Sequence, residues 1–293
     1  MGPTASGKTA LSIELALAYN AVILSLDSLS VYKQIDIASA KPSLLERSGV
    51  PHFGMDVLLP NEHFDVTMFF SLFHEAKAYA TKHHKHLIIV GGTGFYLKAM
   101  MEGLSLRPEL SLHVNSSVQE YLAFPEKAYA KILQHDPLYA QKIASNDTYR
   151  IQKWLEIFLS THTIPSLYLA QHKQAPILCD VSLFEIETPK EQLISRVKLR
   201  TNLMFKQGLI DEVYGLEKYY SRAPQCMKAI GIKEVLDYFD ARYTRVELEE
   251  RIVLNTLHLA KRQRTFNASQ FPKHPKAVLS ELSPLLHRVL KEF

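Results

Sequence analysis

An α/β fold, with a parallel sheet flanked by helices and interrupted by an all-helical insertion, follows from three features of the 293-residue chain. A glycine-rich turn at the amino end leads directly into a helical pattern. Two short apolar runs, 21–26 and 86–90, each end in a polar or glycine-rich turn. Strand-like runs then vanish between about 108 and 176 and return at 181–186. Short apolar runs alternating with helices read as buried parallel strands, and ligands of such sheets sit beyond the carboxyl ends of the strands.

The first turn carries the most chemistry. Gly2-Pro3-Thr4-Ala5-Ser6-Gly7-Lys8-Thr9 fits G-x-x-x-x-G-K-[ST] at every required position. Its backbone N–H groups can converge on one anion, Lys8 adds a point charge, and the Thr9 hydroxyl can ligate Mg²⁺. Residues 10–19 form the helix whose amino end faces that anion. A P-loop NTPase-like sheet is the expected setting. Such a loop normally hangs from a strand, yet only Met1 precedes Gly2, so we expect either a start internal to the reading frame or a lost strand.

The strand at 21–26 ends at Asp27, beside the place where bound phosphates belong. A helix is expected over 69–84 and a strand over 86–90. The turn Gly91-Gly92-Thr93-Gly94 follows, leading into a helix over 95–101. Many ATPases and GTPases end this second strand with an acid that serves Mg²⁺. Gly91 stands there instead, and no Asn-Lys-x-Asp guanine-reading element exists. Group transfer to a second substrate therefore fits better than simple NTP hydrolysis.

Residues 110–123, 125–134, 137–144 and 147–160 read as short helices, broken near Pro125 and Pro137. The organisation expected is a catalytic core, 1–107 with 181–293, and a helical insertion, 108–180. The sheet resumes at 181–186. Helices follow over 191–206, within 208–240, and over 245–266. On the 191–206 helix, Arg196 and Arg200 are four apart and share a face able to meet a diphosphate oxygen.

Charge divides unevenly. Residues 1–189 carry 15 Lys/Arg and 18 Asp/Glu, whereas 190–293 carry 19 and 12. The basic excess favours a polyanionic partner for the last third. On the 245–266 helix, Arg251, Asn255, His258 and Arg262 form one stripe, widened by Lys261 and Arg264. Ile252, Val253, Leu257 and Ala260 form the opposite one. RNA phosphates suit the basic stripe. No apolar run approaches the ~20 residues that span a bilayer. Cys179 and Cys226 form no metal or redox motif and are expected to be buried thiols in a reducing cytosol. The histidines of His83-His84-Lys85-His86 lack metal-site spacing and are expected at the surface.

Taken together, these motifs resemble the tRNA dimethylallyltransferases. The resemblance rests on the phosphate loop, Asp27-Ser28 with Val31-Tyr32, Ala40-Lys41-Pro42, and Gly91-Gly92-Thr93-Gly94-Phe95-Tyr96. It extends to Lys228-Ala229-Ile230-Gly231-Ile232-Lys233-Glu234 and Ala260-Lys261-Arg262-Gln263. It implies a dimethylallyl diphosphate donor and, as acceptor, N6 of adenine 37 in tRNAs reading codons that begin with U. It implies Asp27 as general base, Thr93 near the reacting base or tRNA backbone, and Arg200 on the diphosphate. It further implies diphosphate binding by residues 2–9, with Thr9 serving Mg²⁺. Contacts to tRNA fall to Asp27, Ser28, Leu29, Ser30, Thr93, Arg150, Lys153 and Arg262, and the insertion grips the anticodon stem-loop. A cytoplasmic monomer with no membrane attachment is expected. Tyr32, Phe95 or Tyr96 can stack on the base or line the prenyl pocket, or can belong to the core. Lys153 stands where the family usually has a second arginine, and Phe266 and Asn267 replace its usual Trp and Phe. A small-molecule kinase, an isopentenyltransferase of free AMP or ADP, and a nucleotide-gated RNA-binding protein are the alternatives.

Overall fold

The computed structural model describes residues 1–92 and 94–292. The chain divides into two compact units: residues 1–98 with everything from 180 onward, and residues 99–179. The sequence boundary at 107/108 moves back because Met100 O accepts from the N–H groups of Ile177 and Leu178, and Leu104 O from that of Gln174. Residues 100–106 therefore belong to the helical unit.

In the first unit α1 (Lys8–Ala18) leads to β1 (Ala21–Ser25), then β2 (His52–Phe53), α2 (Val66–Lys82) and β3 (His86–Val90), and α3 (Gly94–Glu102) runs from this unit into the second. The strands β2-β1-β3 pair in parallel, with Ala21 opposite His86 and Ser25 opposite Val90. Every residue of β1 is buried, which explains its unbroken apolar run. β2 is too short and mixed to announce itself in the sequence. α2 starts earlier than its apolar pattern because the Asp65 carboxylate caps it, accepting from the N–H groups of Thr67 and Met68.

The helical unit holds α4 (Leu112–Leu122), α5 (Pro125–His135), α6 (Pro137–Ala140), α7 (Thr148–Thr161) and α8 (Pro165–Gln171). Proline opens α5, α6 and α8, where its missing N–H costs nothing. Val118, Ala128, Ile132, Ile151, Trp154 and Leu155 form its core. The Trp154 indole N–H finds the buried Asp136 carboxylate at 3.1 Å, as a buried donor must.

The chain then returns through β4 (Glu185–Glu187), α9 (Lys190–Lys206), α10 (Leu209–Tyr220), α11 (Ile232–Phe239), α12 (Arg245–Gln270), β5 (Lys276–Val278) and α13 (Leu279–Lys291). Here the structure corrects the sequence reading. The strand of 181–186 shrinks to β4 and does not rejoin the first ladder; it pairs in parallel with β5. Met1 lies alongside it, donating to Phe184 O at 2.6 Å and accepting from Ile186 N at 2.9 Å. α1 packs Leu11 and Leu15 against Ile186 and Leu282, and Ile13 and Ala16 against β1, so one helix covers both ladders. α12 buries Ala260 against Leu193 and Val197 of α9.

Candidate active site

The loop at residues 2–9 is closed by its own contacts. Ser6 N–H donates to Pro3 O at 3.2 Å, and the Lys8 ammonium folds back on the same carbonyl at 2.7 Å. Gly7 sits at φ 95°, where a side chain would be strained and would meet Leu279 at 3.1 Å. Ala5 accepts the left-handed region too, at φ 64°, a cost of about 1 kcal/mol. α1 begins with no side-chain cap and no acid in its first turn. Its leading N–H groups are therefore left for an external anion.

The charge around this loop points the same way. Burial pushes Lys8 down from 10.5 to about 8, nearby Arg200 adds to the fall, and Asp27 opposes it. Burial also lowers Arg200, again against Asp27. Arg200 donates to Ser39 O at 3.4 Å, and Arg196 to Ser6 O at 3.1 Å. Two half-buried cations facing one carboxylate make a pocket short of negative charge. Asp27 is held by its Oδ1, which accepts from Leu29 N at 2.9 Å and Ser30 N at 3.2 Å. Its Oδ2 has no hydrogen bond among the described residues, so the carboxylate is oriented yet able to take a proton.

The Lys41 side chain is buried. Its ammonium bonds Tyr32 O, Asp36 and Asp56, tying down the segment that follows Asp27. Glu212 of α10 grips the same segment from outside. Its carboxylate accepts from the backbone N–H groups of Asp36, Ile37 and Ala38 at 2.9, 2.7 and 2.9 Å. Glu212 and Gln263, whose Oε1 takes the Thr4 N–H at 2.9 Å, were not singled out from sequence, and Arg196, read there on a face able to meet a diphosphate oxygen, donates instead to the Ser6 carbonyl. Each acts on backbone from a distant part of the chain, which no local pattern signals.

The other expected site residues fall as follows. Gly2, Pro3 and Ser6 are buried, Thr4 and Ala5 half-buried, and Thr9 exposed. Ser28 and Leu29 are half-buried and Ser30 buried. Thr93 lies outside the described residues. Arg262, Lys261 and Arg264 are exposed on α12, as are Arg251 and His258, whereas Asn255 leaves the stripe by bonding Glu234 at 2.6 Å. In the helical unit Arg150 pairs with Asp147 at 2.9 Å. Lys153 bonds both oxygens of Glu156. Tyr32 and Tyr96 join Phe64 and Phe69 in an edge-to-face aromatic group, while Phe95 is 52% exposed. Cys226 is buried, but Cys179 is exposed, because residues 179–180 fall outside any element. The histidines at 83, 84 and 86 are exposed, and among the described residues no cluster of acidic, His or Cys side chains could alone hold a metal. No described helix is long and apolar enough to cross a membrane.

This arrangement can bind a polyphosphate-like group and accept a proton beside it. The family model described as IPP transferase matches residues 30–270. A tRNA dimethylallyltransferase of Sulfurovum sp. (strain NBC37-1) is 50% identical over 98% of this chain and 95% of its own. One of Nautilia profundicola is 50% identical over 99% of each. Among solved structures, a eukaryotic dimethylallyltransferase acting on tRNA superposes with a TM-score of 0.79 at 28% identity, covering 91% of this chain and 68% of that one. Extending through the glycine turns, the Lys41 segment and α12, these matches mean that the chain belongs to the IPP transferase family.

Proposed function

We propose that this chain transfers the dimethylallyl group of dimethylallyl diphosphate to N6 of adenine 37 in tRNAs reading codons that begin with U. The observation that carries this reading is Asp27. It is an oriented carboxylate with one open oxygen, in electrostatic range of Lys8 and Arg200 beside an uncapped helix terminus.

The N6 lone pair forms the new N–C bond as the allylic C–O bond breaks, and that electron pair leaves on the diphosphate. Asp27 takes the N6 proton. Lys8, Arg200 and the N–H groups of the loop stabilise the charge gathering on the leaving group. Thr9 is exposed at the first turn of α1 and is the protein oxygen suited to Mg²⁺. A bound Mg²⁺ would neutralise diphosphate charge there. The exposed cations of α12 and the helical unit are read as the hold on tRNA, whose adenine must leave its stack to react.

Incubation with labelled dimethylallyl diphosphate, Mg²⁺ and unmodified tRNA tests the reading. Label at adenine 37 is the expected result. Label passing only to AMP or ADP, or a γ-phosphoryl transfer from ATP, would replace it with one of the alternatives.

A further inference from the structure

The geometry points to Gln263 as a positioning residue that holds the phosphate loop in its binding shape from α12, an inference that rests on that loop being the diphosphate site. Among the described residues the loop closes on itself between Pro3 and its neighbours Ser6 and Lys8. Two side chains fix it from outside. Arg196 of α9 holds the Ser6 carbonyl, and Gln263 holds the Thr4 N–H. These two helices pack on each other through Leu193, Val197 and Ala260, with Ala5 resting against them. The two grips therefore come from a single rigid base.

A glutamine on a loop N–H invites the opposite reading, a plug that a ligand must displace. Its surroundings argue otherwise. A Cβ at Gly92 would stand 2.6 Å from Gln263 Nε2 and 3.2 Å from Cδ. The amide thus packs against Gly92 while its oxygen takes the Thr4 N–H, so displacing it would give up contacts to both turns. Gln263 therefore touches both glycine turns. It sits one residue from Arg262 and Arg264 on the exposed face, so the helix offered to a polyanion also frames the donor loop.

Full-length Gln263→Met and Gln263→Ala proteins, checked for unchanged melting, decide the matter. Titration with inorganic diphosphate and Mg²⁺ should show roughly fivefold weaker binding, the usual share of one net hydrogen bond. KM for dimethylallyl diphosphate should rise in step, while kcat and KM for tRNA stay within about twofold. Amide exchange in the parent protein gives a second measure, with Thr4 N–H protected before diphosphate is added. Unchanged diphosphate affinity in folded variants, tighter binding, or an unprotected Thr4 would overturn the inference. A parent protein that binds no diphosphate would instead overturn the reading of the loop and take the inference with it.

Discussion

The cations around the phosphate loop and those on the outer face of α12 carry the same formal charge in opposite circumstances. Lys8 and Arg200 are half-buried, and burial disfavours their protonated forms. Lys261, Arg262 and Arg264 stand in solvent with no ion-pair partner among the described residues. A cation withdrawn from water is costly unless an anion arrives, so the first group suits a small anionic ligand. A solvated cation is cheap and exchanges counterions, so the second group suits a large polyanion held through many weak contacts. The helical unit presents a third case. Its α7 basic residues are spent on Asp147 and Glu156 and offer less charge than the sequence implies.

The largest effect should come from the one carboxylate that the half-buried cations share. Asp27→Ala should lower turnover by roughly 10²–10⁴-fold, the range of general-base catalysis, with tRNA affinity nearly intact. Asp27→Asn keeps the acceptor for Leu29 and Ser30 but cannot take a proton. It should match Asp27→Ala in turnover, measured under single-turnover conditions. An Asn variant close to the parent would reduce Asp27 to a turn-forming residue.

Lys8 sharpens the contrast through pH. Its folded value, about 8, lies below its unfolded value of 10.5. Below pH 8 the fold therefore carries an ammonium it disfavours, at a cost of roughly 3 kcal/mol. That cost is relieved as pH rises from about 8 to 10.5. Donor binding runs the other way, because the diphosphate needs the charged form. Affinity for inorganic diphosphate should hold to pH 8 and then fall by up to about tenfold per unit, and Lys8→Ala should flatten the profile at a low value. No break near pH 8 in the parent would mean that Lys8 does not meet the anion.

Glu212→Ala should produce a smaller loss. Three backbone N–H groups lose their acceptor at once, and the segment carrying Ser39, the partner of Arg200, loosens. A fall of about tenfold in kcat/KM is expected, with Glu212→Gln intermediate because one amide oxygen cannot serve all three donors. Equal activity in all three proteins would separate this segment from the half-buried cations.

Much of the candidate phosphate site was legible because its requirements are local. Gly7, Lys8 and Thr9 lie in one motif, and the β1 run names Asp27 as the strand-end acid. What stayed hidden depends on chain separation. Glu212 lies 176 positions along the chain from Asp36 and Gln263 lies 259 from Thr4, contacts that only tertiary packing creates. β2, β4 and β5 are two or three residues long, too short for periodicity to register. The basic stripe of α12 was visible at 100° per residue, apart from Asn255, which the carboxylate of Glu234 turns aside. On α7 the pattern could show where Arg150 and Lys153 lie but not that Asp147 and the buried Glu156 had claimed them.

The smallest effect distinguishes those two helices directly. Arg262 is solvated and unpaired among the described residues, so Arg262→Ala should weaken tRNA binding only severalfold. It should also reduce the slope of log affinity against log salt by roughly 0.7–0.9, the loss of one phosphate contact. Lys153→Ala should behave differently. Its ammonium bonds both oxygens of Glu156, a side chain only 6% exposed, leaving Gln152 and, at 3.8 Å, Arg107 as the remaining partners. Removing it strands buried charge, so the variant should lose about 2–3 kcal/mol of stability in a thermal melt while the salt slope stays near that of the parent. Were Lys153→Ala to lower the slope by a full contact without destabilising the protein, the ammonium must leave Glu156 when tRNA binds. The helical unit would then hold its charge in reserve, and the division between spent and available cations would apply only to the free protein.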